Sequence, residues 1–234
     1  MKEVKAVLFD LDNTLYPYHE NHVRGVRAAH KLYSKKYSLS FISFMKLYTK
    51  AAIKSHDFTA KNADQHDRRL HFQYVFELDK KPIDYQLILD MFDVYWDNMI
   101  KHSKLDPGTK QLLAWIKKQG YKVGMITDLT MDVQFKKIIK FGLAPYFDVV
   151  LTSEEAGIEK PSPKIFKLIL EKLQVKSSET IMVGDNPDRD ILGANKMRMT
   201  SVLMRRDMKN TTKAKPTHTI TDIRDLKDIL LSYQ

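Results

Sequence analysis

Val4-Lys5-Ala6-Val7-Leu8-Phe9-Asp10-Leu11-Asp12-Asn13-Thr14 is the stretch from which the rest of the chain can be read. Its first six residues are apolar apart from Lys5, and a short continuous apolar run marks a strand buried on both faces. The run then stops on two acids, Asp10 and Asp12. Residues two apart in a continuing strand share a face at fixed spacing. For both carboxylates to address one centre, the strand must end there and the chain must coil into a loop.

A strand covered on both faces belongs to a sheet flanked by helices. The alternation this requires begins only past Pro107-Gly108. Helical, strand and turn signals there predict a helix over 109–119 stopped by Gly120, a strand over 121–127, a helix over 131–141 and a strand over 147–152. Ser162-Pro163 opens a helix to about Leu173, followed by a strand over 180–183, a helix over 190–197, strands over 201–204 and 218–220, and a helix over 223–231. Alternating strands and helices predict an α/β fold, a Rossmann-like three-layer core with a parallel sheet. Between Tyr18 and His102 the texture differs. Val23, Val26, Ala29, His30 and Tyr33 recur at helical spacing, as do Phe41, Phe44, Met45, Tyr48, Ala51 and Ala52. Two more helices, over about 64–78 and from Pro82 to about His102, complete an inserted all-α unit of four-helix-bundle type. The expected domains are 1–15 with 104–234 as the core, and 16–103 as a helical cap.

Composition narrows the chemistry. The 234 residues are 43% hydrophobic and 10% aromatic, enough for a packed core. There is no Cys, which excludes disulfides, thiolate metal sites, Fe–S clusters and a cysteine nucleophile. No run of about 18 apolar residues offers a membrane span. Without a secretory-type start, and with no Cys, a cytoplasmic protein is expected. The formal charge of +10 suits an anionic partner. Most basic residues come as scattered pairs, and the densest run is Arg205, Arg206, Lys209, Lys213 and Lys215. No nucleic-acid-binding motif accompanies them, so nucleic acid is not the expected partner.

In sheets of this kind the reactive crevice lies beyond the carboxyl ends of the strands. The residues delivered there are Asp10, Asp12, Thr127, Asp128, Asp185 and Asp190, with Lys160 in the loop after the 147–152 strand. Each alone has an ordinary explanation: Asp10 a turn residue, Thr127 or Asp190 a helix N-cap, Lys160 a surface lysine. Together, several carboxylates in one crevice would repel one another strongly, and a divalent cation removes the conflict. An oxygen-only ligand set points to a hard ion, Mg²⁺ first.

Asp10-Leu11-Asp12-Asn13-Thr14, Ile126-Thr127-Asp128, Lys160-Pro161-Ser162-Pro163 and Gly184-Asp185-Asn186-Pro187-Asp188-Arg189-Asp190 resemble, in order, the four motifs of the haloacid dehalogenase superfamily. The helical insertion after the first motif is similar to the cap of its phosphatase-rich subgroup. That resemblance implies Asp10 as nucleophile, forming an aspartyl-phosphate. Asp12 would be general acid to the leaving oxygen and then general base to water. Mg²⁺ would be held by Asp10, the carbonyl of Asp12 and Asp185, with Asp190 in support through water or Lys160. Thr127, the backbone N–H of Asp128 and Lys160 would bind the phosphoryl oxygens. Dehalogenases of the superfamily lack an acid at the Asp12 position, since a halide leaves without a proton, so Asp12 favours phosphate chemistry.

Two positions depart from the family pattern. Asp128 stands where Asn is common, and is expected to use its backbone N–H or turn toward a basic neighbour such as Lys160. Arg198 stands where Gly is common. For the substrate pocket, Tyr16, Tyr18, His19, His22 and Arg24 follow the first motif at the hinge. His19 and His22 lack further ligands at a metal-binding spacing. The expected protein is a Mg²⁺-dependent phosphatase, monomer or homodimer, acting on a small phosphorylated metabolite, either a sugar or polyol phosphate or a nucleoside monophosphate. A phosphomutase of the same superfamily and a non-catalytic basic binding protein are the alternatives.

Overall fold

The computed structural model describes residues 3–58, 63–206 and 214–234. The chain divides into two compact units, Met1–Pro17 with Lys104–Gln234, and Tyr18–Ser103.

The first unit holds a six-stranded, all-parallel sheet: β1 (Ala6–Phe9), β2 (Lys122–Thr127), β3 (Val149–Thr152), β4 (Thr180–Gly184), β5 (Thr200–Met204) and β6 (His218–Ile220). Their spatial order is β3-β2-β1-β4-β5-β6. β1 lies in register against both neighbours, Phe9 opposite Met125 of β2 and Val183 of β4. The chain therefore runs outward from β1 in one direction and then restarts in the other, which opens a crevice at the carboxyl ends of β1 and β4. All four β1 residues are fully buried, as a doubly covered strand requires. Leu8, Ile126 and Met182 pack with Ile165, Phe166 and Ile169 of the helix Pro163–Leu173.

The second unit contains α1 (His19–Lys36), α2 (Phe41–Phe58), α3 (Arg68–Leu78) and α4 (Tyr85–His102). Its interior is aromatic: Tyr33, Phe44, Phe72, Phe76 and Tyr95 are fully buried. Gly25 lets α1 meet α4 closely, since a Cβ there would lie 2.8 Å from Tyr95. Among the described residues no helix is long and apolar enough to cross a membrane.

Several elements differ from their sequence expectation in extent. The helix expected from about Asp64 is a 3₁₀ turn, Ala63–His66, followed by α3, which starts after Asp67 because that side chain caps the amide of Arg69. The last cap helix opens at Tyr85, not Pro82, because Asp84 caps Leu87. The helix expected from Asp190 begins earlier as a π-helical turn, Pro187–Ile191, capped by Asn186, and continues as Leu192–Lys196.

Candidate active site

The loop after β1 coils at once. Leu15 N–H reaches back to the Leu11 carbonyl (3.1 Å), and Asn13 takes the left-handed conformation (φ 63°). Asn tolerates that region better than most residues because its short polar side chain can bond locally. Its side chain donates to Asp185 (2.7 Å), tying the β1 loop to the β4 loop. Thr14 extends the tie. Its hydroxyl donates to Asp10 (2.9 Å) and accepts the backbone N–H of Asp185 (3.0 Å). The Arg206 guanidinium locks the loop from outside, donating to the carbonyls of Asn13 and Thr14 and pairing with Asp106. Arg206 belongs to the basic run noted above; within that run, Lys209 and Lys213 lie outside the described residues.

Asp10 is almost wholly buried and accepts from Lys160 Nζ at 2.7 Å. Lys160, equally buried, also donates to Asp190 (2.8 Å) and to the Ile126 carbonyl (3.1 Å). Burial by itself would strip Lys160 of its proton. The charges of Asp10, Asp190 and Asp128 outweigh burial and hold it protonated, well above an ordinary lysine. Asp10, Asp185 and Asp190 each offer an oxygen within 4.8 Å of the others. Burial, then Asp190, raises Asp185 to about 6. Asp10 is likewise pushed well up, first by burial, against the pull of Lys160. Three carboxylates thus share one lysine charge, and this donor set fits a hard dication. Asp190 reaches the centre because Gly184 has no side chain: a Cβ there would lie 2.3 Å from the Asp190 carboxyl.

Asp12 is held differently. Lys137 donates to both of its carboxylate oxygens (2.7 and 2.8 Å), Gln134 to one (3.0 Å), and the Tyr16 hydroxyl to the other. Burial pushes Asp12 up, but the charge and hydrogen bond of Lys137, with those of Tyr16 and Gln134, outweigh it and keep the carboxyl below its usual range. Lys137 and Gln134 sit three residues apart on the helix Met131–Phe141, so they share a face. Neither was singled out from sequence. The one available signal was a Gln and a Lys on a face that also carries buried Val133, Ile138 and Phe141.

The second motif is organised by the same helix. Gln134 donates to the Thr127 hydroxyl (2.6 Å) and to the Asp128 carbonyl (2.8 Å). The Asp128 carboxylate accepts from the backbone N–H of Lys160 (3.1 Å) and from Arg189 (3.2 Å), while Lys160 Nζ stands 3.9 Å off. Its principal basic neighbour is therefore Arg189, which also pairs with the buried Glu159 (3.3 Å). Arg198 adopts φ 58°, so the turn usual for Gly is kept with a side chain in place.

Of the hinge residues, Tyr16 lies nearest the acids of the first motif. It is fully buried, its ring packs on Phe141 (4.9 Å), and its hydroxyl donates to Asp12. His19 and Arg24 are exposed on α1. Tyr18 and His22 are half-buried in the helical unit, bonding Arg68 (2.7 Å) and Tyr95 (2.6 Å).

Comparison with known proteins agrees with this geometry. Residues 4–198 match the family described as haloacid dehalogenase-like hydrolase. A ribulose-1,5-bisphosphate 5-phosphatase of Halopiger xanaduensis is 38% identical over 202 residues, covering 85% of this chain and 83% of that protein. A glyceraldehyde 3-phosphate phosphatase of Methanopyrus kandleri is 32% identical over 203 residues, covering 87% and 84%. The crystal structure of a HAD phosphatase from Thermococcus onnurineus superposes with a TM-score of 0.73 at 29% identity, covering 97% of this chain and 98% of that one. The chain belongs to the haloacid dehalogenase-like hydrolases, and within them to the phosphatase type with helices inserted after the first motif.

Proposed function

We propose that the protein is a Mg²⁺-dependent phosphatase of small phosphate monoesters that works through an aspartyl-phosphate on Asp10. The observation that carries this reading is the setting of Asp10: at the end of the central strand, tied to Lys160 and Thr14, and sharing its crevice with Asp185 and Asp190. Asp10, the carbonyl of Asp12 and Asp185 would hold Mg²⁺, with Asp190 steadying the set through Lys160. When bound, the ion would neutralise the clustered carboxylates and stabilise charge on the phosphoryl group.

A carboxylate oxygen of Asp10 attacks phosphorus in line, and the ester oxygen leaves. Lys160 and Thr127 hold the phosphoryl oxygens, which supplies most of what phosphoryl transfer asks of a protein. Asp12 protonates the leaving oxygen. For that step it must carry a proton, and so must exchange its contact with Lys137 for the substrate. Its ionised, clamped form is already suited to the second step, in which it takes a proton from the water that cleaves the aspartyl-phosphate.

Relatives named for a pentulose bisphosphate and a triose phosphate support a sugar or polyol phosphate over a nucleoside monophosphate. A cytoplasmic location accords with such metabolic substrates. The test is phosphate release from a panel of phosphorylated metabolites, with and without EDTA. Asp10→Asn is expected to lose at least 10³-fold in turnover, in line with removal of a covalent nucleophile. Formation of an isomeric ester without free phosphate would show a mutase instead. Equal, near-zero release by wild type and variant would overturn the reading.

A further inference from the structure

We propose that the helical unit carries a binding site for one small oxyanion, a carboxylate or phosphoryl group, centred on Arg68. This residue opens α3 and is only 7% exposed. One terminal nitrogen donates to the His66 carbonyl (2.7 Å) and the other to the Tyr18 hydroxyl (2.7 Å). Its buried Nε has no hydrogen-bond partner among the described residues. More telling is the missing counter-charge: among the described residues, no carboxylate pairs with Arg68. The acid beside it in sequence, Asp67, is fully committed to Arg69, accepting its backbone N–H (2.8 Å) and both arms of its guanidinium.

Among the described residues, the surroundings of Arg68 are polar but uncharged. The hydroxyls of Tyr18, Tyr48 and Tyr95 act on it, and the rings of Tyr95 and Trp96 lie 5.5 and 5.6 Å from its guanidinium carbon. His22 and His71 are neutral, both lowered to about 3 by burial and then by Arg68 itself. Hydroxyls and aromatic faces can solvate a guanidinium, but they do not neutralise it, and buried charges are ordinarily paired. The site therefore lacks one negative charge. Guanidinium donors match the oxygens of a planar or tetrahedral oxyanion. Tyr18 and His22 are only half-buried, so the cluster extends to the surface of its unit.

The oxyanion is bound as a free ion, independently of the phosphatase reading. Trp96 is the local reporter, and Trp115→Phe removes the other tryptophan. In metal-free Trp115→Phe protein, inorganic phosphate is expected to change Trp96 emission saturably, beyond chloride at matched ionic strength. Adding Arg68→Met should abolish the change. Tyr18→Phe, which leaves the charge in place, should weaken it severalfold. Absence of the emission change overturns the proposal. So does a lower melting temperature of Arg68→Met in anion-free buffer, since a guanidinium kept only for packing would be missed there while an uncompensated one would not. A silent turnover assay beside a positive emission titration would count against the phosphatase reading and leave this site standing.

Discussion

At the residue scale, Asp12 shows how much a single contact can decide. Asp10 and Asp12 are the same side chain two positions apart, yet burial dominates one and Lys137 the other. Removing one partner of a buried ion pair leaves the other charge uncompensated, which typically costs about 3–5 kcal/mol. Lys137→Met is therefore expected to destabilise the protein by that order in urea unfolding. The double variant Lys137→Met/Asp12→Asn should lose clearly less than the sum of the two single changes. Additive losses would show that the pair is not energetically coupled. Asp128 is the complementary case: an acid in place of the usual Asn is accommodated because Arg189, four residues past Asp185, reaches it. The departure was visible in sequence; the partner was not, since Arg189 is 61 residues away along the chain.

At the element scale, the helical unit carries an acid sensitivity of its own. His22 on α1 and His71 on α3 titrate near 3 in the folded unit against an ordinary value of 6.5. A depressed folded value means that the unfolded chain binds more protons between the two, so stability is full above about 6.5 and falls as pH drops toward 3. Each histidine contributes a slope of up to about 1.4 kcal/mol per pH unit in that window. Urea unfolding followed by Trp96 emission in the Trp115→Phe background should show its midpoint falling from pH 7 to pH 5. His71→Gln should flatten the trend. A midpoint indifferent to pH in that range would contradict the neutral, buried histidines. The same scale explains the displaced helix starts. Periodicity locates the apolar stripe, but the first turn begins where a side chain can satisfy free amides, as Asp67, Asp84 and Asn186 do.

For the whole molecule, the governing quantity is the charge gathered where β1 and β4 end. Without a cation, Asp185 titrates at about 6 in the folded state against an ordinary 3.8. Its favourable contribution is complete below 3.8 and is lost as pH rises through 6, because above that value the fold holds an extra buried anion. A dication competes with that proton. Added Mg²⁺ is therefore expected to raise the melting temperature by several degrees at pH 7.5 and by much less at pH 5, with EDTA reversing the rise. An equal rise at both pH values would argue against binding at these carboxylates. A shift in Asp10→Asn/Asp185→Asn as large as in wild type would place the ion elsewhere.

The order of strands and helices, the all-helical insertion and the acids at strand ends were all legible from Val4–Thr14 outward, because buried strands and amphipathic helices write their periodicity locally into the chain. The classes of residue in the site were legible for the same reason: Asp10, Thr127, Lys160 and Asp185 each follow a recognisable strand or turn. What only the tertiary structure decided is who partners whom. Lys137 and Gln134 reach Asp12 across more than 120 residues, Arg206 reaches Asn13 across 193, and among the described residues Arg68 is left without an acid although Asp67 adjoins it. Such pairings depend on three-dimensional distance and on competition among neighbours, and neither is a property of any local stretch of sequence.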